Sequence, residues 1–169
     1  MISAISCPVF RFAFSEHIRV KQKIIDSIPS DLPRVENSCV SKTDYFSNNY
    51  ESYFPIFKDE FIDEIDKEFS KVNLGKWEIS NLWFQIYKQE DSHPWHCHPL
   101  AHFSCVYFLE LSGAEYSTQF LHPITKKQFC YPVNEGDIII FPAFIQHCSP
   151  TIVTDKQKIV IACNINCLD

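Results

Sequence analysis

The sequence has no concentration of positive charge. Its 169 residues contain 15 Lys and Arg against 21 Asp and Glu, a formal net charge of −6, and the basic residues are scattered along the chain. Proteins that bind a nucleic-acid backbone or an anionic membrane usually present a clustered positive patch, which this chain does not offer. We therefore expect neither nucleic acid nor membrane among its partners.

The N-terminal segment lacks the features of an export signal or a membrane span. It reads "MISAISCPVFRFAFSEHIRVKQ", with no basic region before its apolar stretch, and Pro8 and Arg11 interrupt that stretch. A secretion signal needs a basic start and an unbroken apolar core, and a membrane helix needs about 20 apolar residues. We expect a cytoplasmic protein, placed in the host cytoplasm if the protein is viral.

The cysteines lack the C-x2-C spacing of a structural zinc site. The eight of them are spread singly, at positions 7, 39, 97, 105, 130, 148, 163 and 167. In a chain without an export signal we expect free thiols, not a disulfide framework. A chain of this length can bury a sufficient core without disulfides or metals. A metal here would therefore serve a function.

No internal repeat or low-complexity segment divides the chain, and we expect a single domain over residues 1–169. Residues 1–76 contain a strand-like "VFRFAF" and a short helical "EHIRVKQKIIDSI". A second helix follows, with an apolar face formed by Phe57, Phe61, Ile62, Ile65 and Phe69. A stripe of this kind docks a helix on a core, so we predict that the N-terminal part supports the fold from outside.

Residues 77–169 follow a different pattern of short runs rich in Ile, Val, Tyr, Phe and Trp, separated by Pro, Gly, Asn and Asp. Roughly six to eight strands at intervals of about ten residues, without helical crossovers, are typical of an antiparallel sandwich or jelly roll. We predict a mainly β (α+β) fold, in which a jelly roll (a cupin-like double-stranded β-helix) forms the core and the N-terminal helices pack on its outside.

Four of the seven histidines lie within "SHPWHCHPLAHF", residues 92–103. His96 and His98 are two residues apart, so on an extended backbone both side chains leave the same face and can reach one ion. The best candidate for a third ligand is His147, in "GDIIIFPAFIQHCSP". An H-x-H pair followed by G-D-x4-P-x4-H is the layout expected when two neighbouring jelly-roll strands share a metal.

The other histidines have simpler interpretations. His93 precedes Pro94 in a polar turn and is interpreted as exposed, and His122 also looks like a turn residue. His102 keeps the parity of His96 and His98, so it is a candidate neighbour of the metal ligands or a substrate contact. The sequence shows no Ser-His-Asp or thiolate-His site, no phosphate-binding loop and no paired carboxylates of a hydrolase.

Three segments resemble the metal-binding core of the iron(II)- and 2-oxoglutarate-dependent oxygenases: "WHCHPLAHFSCVYFLEL", "EGDIIIFPAFIQHCSP" and "KIVIACN". The nearest resemblance is to small prolyl-hydroxylase-like members from bacteria and phages, and it covers about residues 80–166. It implies that His96, His98 and His147 bind Fe(II). Many members of the superfamily carry Asp or Glu where His98 stands. Three neutral imidazoles leave Fe(II) its full charge, which the dianionic 2-oxoglutarate would offset.

The resemblance also implies a site for the cosubstrate 2-oxoglutarate. Lys158, eleven residues beyond His147, stands where the family places the cation for the distal carboxylate, with Lys156 as the alternative if the register slips by two. Tyr87 and Gln85 match an N-x-Y pair that contacts 2-oxoglutarate in some relatives. Further candidate contacts are Tyr107 and Asn164. A hydroxyl that relatives often carry two residues after the lysine is replaced here by Val160.

The implied activity is hydroxylation of a substrate C–H bond with O2 and 2-oxoglutarate, releasing succinate and CO2. The expected substrate is a peptide, a protein or a small amino-acid-like molecule. Hydroxylation of a prolyl residue is the reaction that the resemblance favours most. The competing interpretation of Lys158 is a solvated lysine at a strand end. For the other four candidate contacts it is core packing. Two alternatives stay open: a cupin-like metalloenzyme that does not use 2-oxoglutarate, and a jelly-roll binding module without catalysis.

Overall fold

The computed structural model describes residues 8–29, 32, 39–47 and 49–168. Its N-terminal elements are strand β1 (Phe10–Ala13), helix α1 (His17–Ser27), strand β2 (Lys42–Thr43) and helix α2 (Lys58–Ser70). The strands that follow are β3 (Trp77–Tyr87), β4 (His93–His96), β5 (Phe103–Glu110), β6 (Gln119–Leu121), β7 (Gln128–Cys130), β8 (Asp137–Pro142), β9 (His147–Ser149) and β10 (Lys158–Cys167). Short 3-10 turns cover Asn49–Ser52, Phe54–Ile56 and Ala114–Tyr116.

The strands form two antiparallel sheets. The larger has the order β1-β8-β5-β10-β3-β2, and the smaller has the order β4-β9-β6-β7. Strands distant in sequence are neighbours in both sheets, as in a jelly roll. The predicted mainly β fold with a jelly-roll core is confirmed.

Both faces of the larger sheet are buried. On β10, Ile159, Ile161 and Cys163 belong to an outer core cluster that includes residues of α1 and α2. Val160, on the opposite face, belongs to an inner cluster that includes Phe120 of the smaller sheet. Because side chains alternate along a strand, one strand supplies both cores.

The N-terminal part contributes strands as well as helices. β1 pairs with β8 and β2 pairs with β3, so residues before position 76 supply both edges of the larger sheet. Of the predicted apolar face of α2, Ile62 is only half-buried and the other four residues are buried. The ring of Phe61 lies 6.4 Å from that of Tyr107 on β5.

The cysteines in the described part of the chain are all free, and Cys7 lies outside it. The same residues include no helix that is long and apolar enough to cross a membrane.

Candidate metal and active site

Three predicted metal ligands meet between the two sheets. His96 on β4 and His147 on β9 are direct cross-strand partners, and His98 follows two residues after His96. The ligand atoms of the three imidazoles all lie within 4.8 Å of one another. Their ring centroids are 4.2 Å apart for His96 and His147, and 5.1 and 5.2 Å from His98 to those two rings. The structure therefore brings together residues about fifty positions apart in the sequence.

Hydrogen bonds orient all three rings in the same sense. Nδ1 of His96 lies 2.8 Å from the carbonyl oxygen of Pro94, and Nδ1 of His147 lies 3.0 Å from that of Ile145. Nδ1 of His98 lies 2.5 Å from Oδ1 of Asn164. A carbonyl oxygen can only accept, so each Nδ1 carries the proton and donates it. Each Nε2 is left with a free lone pair, which is the arrangement of a metal-binding histidine.

Burial keeps the imidazoles of His96 and His147 neutral. Loss of solvation, together with the neighbouring histidines, lowers the pKa of His96 to about 4 and that of His147 to about 3. Around neutral pH both rings are therefore unprotonated at Nε2. Neutral imidazole is the form that binds a divalent metal.

The interpretation of His93 as an exposed turn residue is wrong. His93 begins β4, is half-buried, and its ring centroid lies 4.1 Å from that of His96. Residues three apart normally point to opposite faces of a strand, but the pairing of β4 with β9 shifts register between His93 and His96. Such a bulge adds one residue to a strand and places both rings on one side. No spacing rule applied to the sequence alone shows this bulge.

Two predicted site residues lie outside this group. His102 is exposed, and its Nδ1 accepts a hydrogen bond from the backbone N–H of Cys167. A turn after His98 breaks the strand parity on which its prediction depended. Tyr107 points into the outer core, where its hydroxyl lies 2.7 Å from Nδ1 of His17. Both faces of β5 are buried, so its pattern did not show which face meets the site.

A cavity of about 660 Å³ opens next to the histidines. His93, His96, His98 and His147 line it. No Asp, Glu, Lys or Arg is found among the described residues that line it. Gln85, Tyr87 and Asn164, three of the residues predicted to contact the cosubstrate, also lie in its wall. Asn164 accepts the hydrogen bond from His98, so in this structure it orients a candidate metal ligand.

Lys158 lies directly behind the cavity wall and is 1% exposed. Its Nζ donates to the carbonyl oxygen of Tyr116 and to Oγ of Ser149, each at 2.8 Å. The ammonium also lies 4.9 Å from the ring centre of Tyr87. No carboxylate forms a salt bridge with it in the described part of the chain. Burial without an anion lowers the pKa of Lys158 to about 7.

Tyr87 and Gln85 form the part of the cavity wall next to Lys158. The Tyr87 hydroxyl donates to Oε1 of Gln85 at 2.8 Å, and both side chains line the wall. Val160 has no hydroxyl, but Ser149, a residue not predicted from the sequence, places one beside Lys158. Ser149 stands two residues after His147 on β9, so the H-x-S spacing was a usable signal. Lys156, the alternative to Lys158, lies in an exposed loop.

No protein-family model matches the sequence, and a search of curated proteins finds no match.

Solved structures share the fold along most of the chain. A viral collagen prolyl hydroxylase from Paramecium bursaria Chlorella virus-1, solved with 2-oxoglutarate, has a TM-score of 0.64 at 14% identity over 95% of this chain and 96% of its own. A prolyl hydroxylase from Trichoplax adhaerens, solved with a peptide fragment of hypoxia inducible factor, has a TM-score of 0.65 at 12% identity, over 94% and 83%. HygX from Streptomyces hygroscopicus, solved with nickel and 2-oxoglutarate, has a TM-score of 0.64 at 10% identity, over 95% and 83%.

The chain has the fold of the 2-oxoglutarate- and iron(II)-dependent oxygenases. The resemblance inferred from the motifs is therefore confirmed, and its neighbours include viral and bacterial prolyl hydroxylases. At identities of 10–14% the likeness establishes the fold, and the chemistry has to come from the site's own residues.

Proposed function

We propose that the protein is an Fe(II)- and 2-oxoglutarate-dependent dioxygenase that hydroxylates a C–H bond of a prolyl or other amino-acid residue and releases succinate and CO2. One observation carries the proposal. Three imidazoles with free Nε2 atoms face one cavity. Behind the wall of the same cavity lies a buried lysine that has no carboxylate partner among the described residues. A divalent metal and a dianionic oxo acid are the pair that this arrangement complements.

The histidines fit Fe(II) as a resident metal. Imidazole nitrogen is a suitable ligand for iron, and three ligands from one side leave coordination positions open to small molecules. Bound iron would supply the oxidising chemistry by reacting with O2 and the 2-oxo acid. The protein's part is to hold His96, His98 and His147 in the right tautomer and to keep the positions opposite them free.

Lys158 suits the distal carboxylate of 2-oxoglutarate. An ammonium has three N–H donors, and Tyr116 and Ser149 take two of them. The third is available to an acceptor that enters from the cavity. A buried cation is costly without a counter-ion, so a carboxylate bound here gains both a hydrogen bond and a charge partner. Tyr87 and Gln85 offer a hydroxyl and an amide beside it.

The cavity wall favours an uncharged substrate group. No Asp, Glu, Lys or Arg contributes to it in the described chain, whereas apolar side chains are frequent. Structural neighbours include prolyl hydroxylases, one of them solved with a peptide. A prolyl or similar residue suits this uncharged and largely apolar wall, because its ring or side chain is apolar and carries no charge.

The decisive experiment follows the metal and the oxo acid together. Fe(II) and 2-oxoglutarate are titrated into the anaerobic protein, and the visible charge-transfer band of the chelate is recorded before O2 is admitted and succinate is measured. We expect both signals in the natural protein and in His122→Ala, which removes an exposed turn histidine. His147→Ala should lose both. Metal binding without the band would favour the cupin-like alternative, and absence of metal binding would favour a non-catalytic module.

A further inference from the structure

An aromatic row leads from the metal ligands toward solvent. We define it as Trp83, Tyr45 and Phe46. The Trp83 ring stacks on His98 at 5.8 Å, the Tyr45 ring lies 5.0 Å from Trp83, and Phe46 lies 5.1 Å from Tyr45. All three residues line the cavity, and exposure rises along the row from 4% for Trp83 to 44% and 78%. The row thus forms an apolar path that a substrate could follow to the metal.

Two residues that line the cavity each carry a buried polar atom without a hydrogen-bond partner in the described part of the chain. The atoms are Nε1 of Trp83 and Oγ of Ser104, in residues that are 4% and 2% exposed. Leaving a buried donor or hydroxyl unsatisfied is unfavourable, and native proteins keep such groups mainly where a ligand or water completes them. The indole can only donate, whereas the hydroxyl can also accept. Together they complement a ligand that carries both an acceptor and a donor.

The sheet places these two groups on either side of β10. Trp83 pairs with Ala162 from β3, and Ser104 pairs with Asn164 from β5. Strands lie about 4.8 Å apart, so the two backbones are separated by roughly 10 Å across β10. An extended peptide advances about 3.3 Å per residue, so a segment of two or three residues spans this distance.

We propose that Trp83 and Ser104 position the substrate by binding its peptide amides. The indole N–H of Trp83 donates to a main-chain carbonyl oxygen, and the Ser104 hydroxyl accepts a main-chain N–H, while apolar parts of the segment lie on the aromatic row. This inference rests on the proposed function and specifies its substrate as an internal residue of a peptide or protein.

The charge of the cavity supports a peptide over a free amino acid. A free amino acid would bring an ammonium and a carboxylate into a wall that has no Asp, Glu, Lys or Arg among its described residues. Burying an unpaired charge is far more costly than burying an amide that finds its hydrogen bonds. Lys158, the nearby cation, is assigned to the cosubstrate.

Indole N–H resonances test the Trp83 contact directly. The 15N-labelled protein is loaded with Zn(II) and 2-oxoglutarate, which prevents turnover, and titrated with an N-acetylated, C-terminally amidated Ala-Pro-Ala tripeptide. We expect a saturable downfield shift of the Trp83 indole proton. Trp77 is the internal control, because its Nε1 already donates to Asp66 at 2.6 Å and it does not line the cavity. An unmoved Trp83 signal, or an equal response to free proline, would overturn the proposal.

Variants separate positioning from a structural role. Trp83→Phe keeps an aromatic ring but removes the donor, and Ser104→Ala removes the hydroxyl; each should weaken tripeptide binding by about tenfold, the effect of one hydrogen bond. Ser104→Ala should at the same time raise the melting temperature, because it removes an unsatisfied buried group. Trp77→Phe should bind the tripeptide normally. Unchanged tripeptide affinity in both variants would refute the inference.

The two proposals fail in different ways. If the charge-transfer band forms but Trp83 and Ser104 do not affect tripeptide binding, only the substrate contact is wrong. If the band does not form with Fe(II) and 2-oxoglutarate, the proposed oxygenase function is wrong, whatever the indole resonances report.

Discussion

At the scale of single residues, Lys158 is the most informative side chain outside the histidines. It is fully buried, with two neutral acceptors and no carboxylate partner in the described chain. Desolvation lowers the pKa of its ammonium to about 7, so its charge is marginal around neutral pH. A bound carboxylate would stabilise the protonated form and raise that pKa. Binding of the oxo acid should therefore be linked to a proton on this residue.

We predict that 2-oxoglutarate affinity is highest below the pKa of free Lys158 and falls as pH rises above it. The fall should approach about tenfold per pH unit, because a carboxylate binds the protonated amine. Lys158→Arg should remove the pH dependence, since a guanidinium stays charged, and Lys158→Met should abolish tight binding at every pH. Calorimetric titration of the metal-loaded protein between about pH 6 and about pH 9 measures this.

Other titratable groups near Lys158 do not give the same profile. Burial raises the pKa of the Cys148 thiol and that of the Tyr87 hydroxyl, and it lowers the pKa of His93. All three are therefore uncharged around neutral pH. A pH dependence that persists in Lys158→Arg would contradict our assignment of the proton to Lys158.

At the scale of elements, the two faces of the larger sheet have separate tasks. The outer face packs with α1 and α2 through aromatic side chains such as Phe61, whose ring lies 5.4 Å from Phe57 and 6.2 Å from Phe14. The inner face contributes Trp83, Val160 and Asn164 to the cavity wall. We therefore expect that substitutions on the outer face change the stability of the fold without changing the site on the inner face.

We predict that Phe61→Ala lowers the free energy of unfolding by about 3–5 kcal/mol, as expected for truncation of a fully buried phenylalanine. Metal affinity of the folded variant should stay unchanged, because this side chain lies on the face opposite the histidines. Ile18→Ala on α1 is the control: Ile18 is 93% exposed, and its loss should change stability by less than about 0.5 kcal/mol. Urea unfolding and zinc titration measure the two quantities. A large drop in metal affinity would show that the faces are coupled.

At the scale of the whole molecule, the candidate metal site draws its residues from separate parts of the jelly roll. His96 and His147 belong to the smaller sheet, while Asn164, which orients His98, belongs to the larger one. A metal bound by all three histidines would therefore connect the two sheets. Because the unfolded chain does not present these ligands together, metal binding should favour the folded state.

We predict that a divalent metal at about 100 times its dissociation constant adds about 2.7 kcal/mol to the stability of the fold. For a protein of this size, that corresponds to a rise in melting temperature of about 5–10 °C. Calorimetric melting with and without zinc measures the effect. His122→Ala should retain it, and the double variant His96→Ala, His147→Ala should lose it. A full shift in the double variant would place the metal elsewhere.

The sequence alone determined the jelly-roll core, the apolar face of α2 and the candidate ligand set. Strand and helix periodicities are local, so alternation and four-residue spacing can be read without knowing what packs against them. The H-x-H spacing likewise predicted that His96 and His98 share one face, and the later motif pointed to His147. Those three residues do lie together in the structure.

Only the tertiary structure decided which face of each strand meets the cavity. Strands β5 and β10 are buried on both sides, so neither shows the polar alternation that marks a solvent face. For that reason the sequence could not show that Asn164 faces the cavity whereas Tyr107 faces the outer core. A bulge in β4 places His93 next to His96. Pairing between distant strands brings Ser149 within hydrogen-bond distance of Lys158 and stacks Trp83 on His98. Register and strand pairing depend on contacts between remote segments, and local sequence patterns do not encode them.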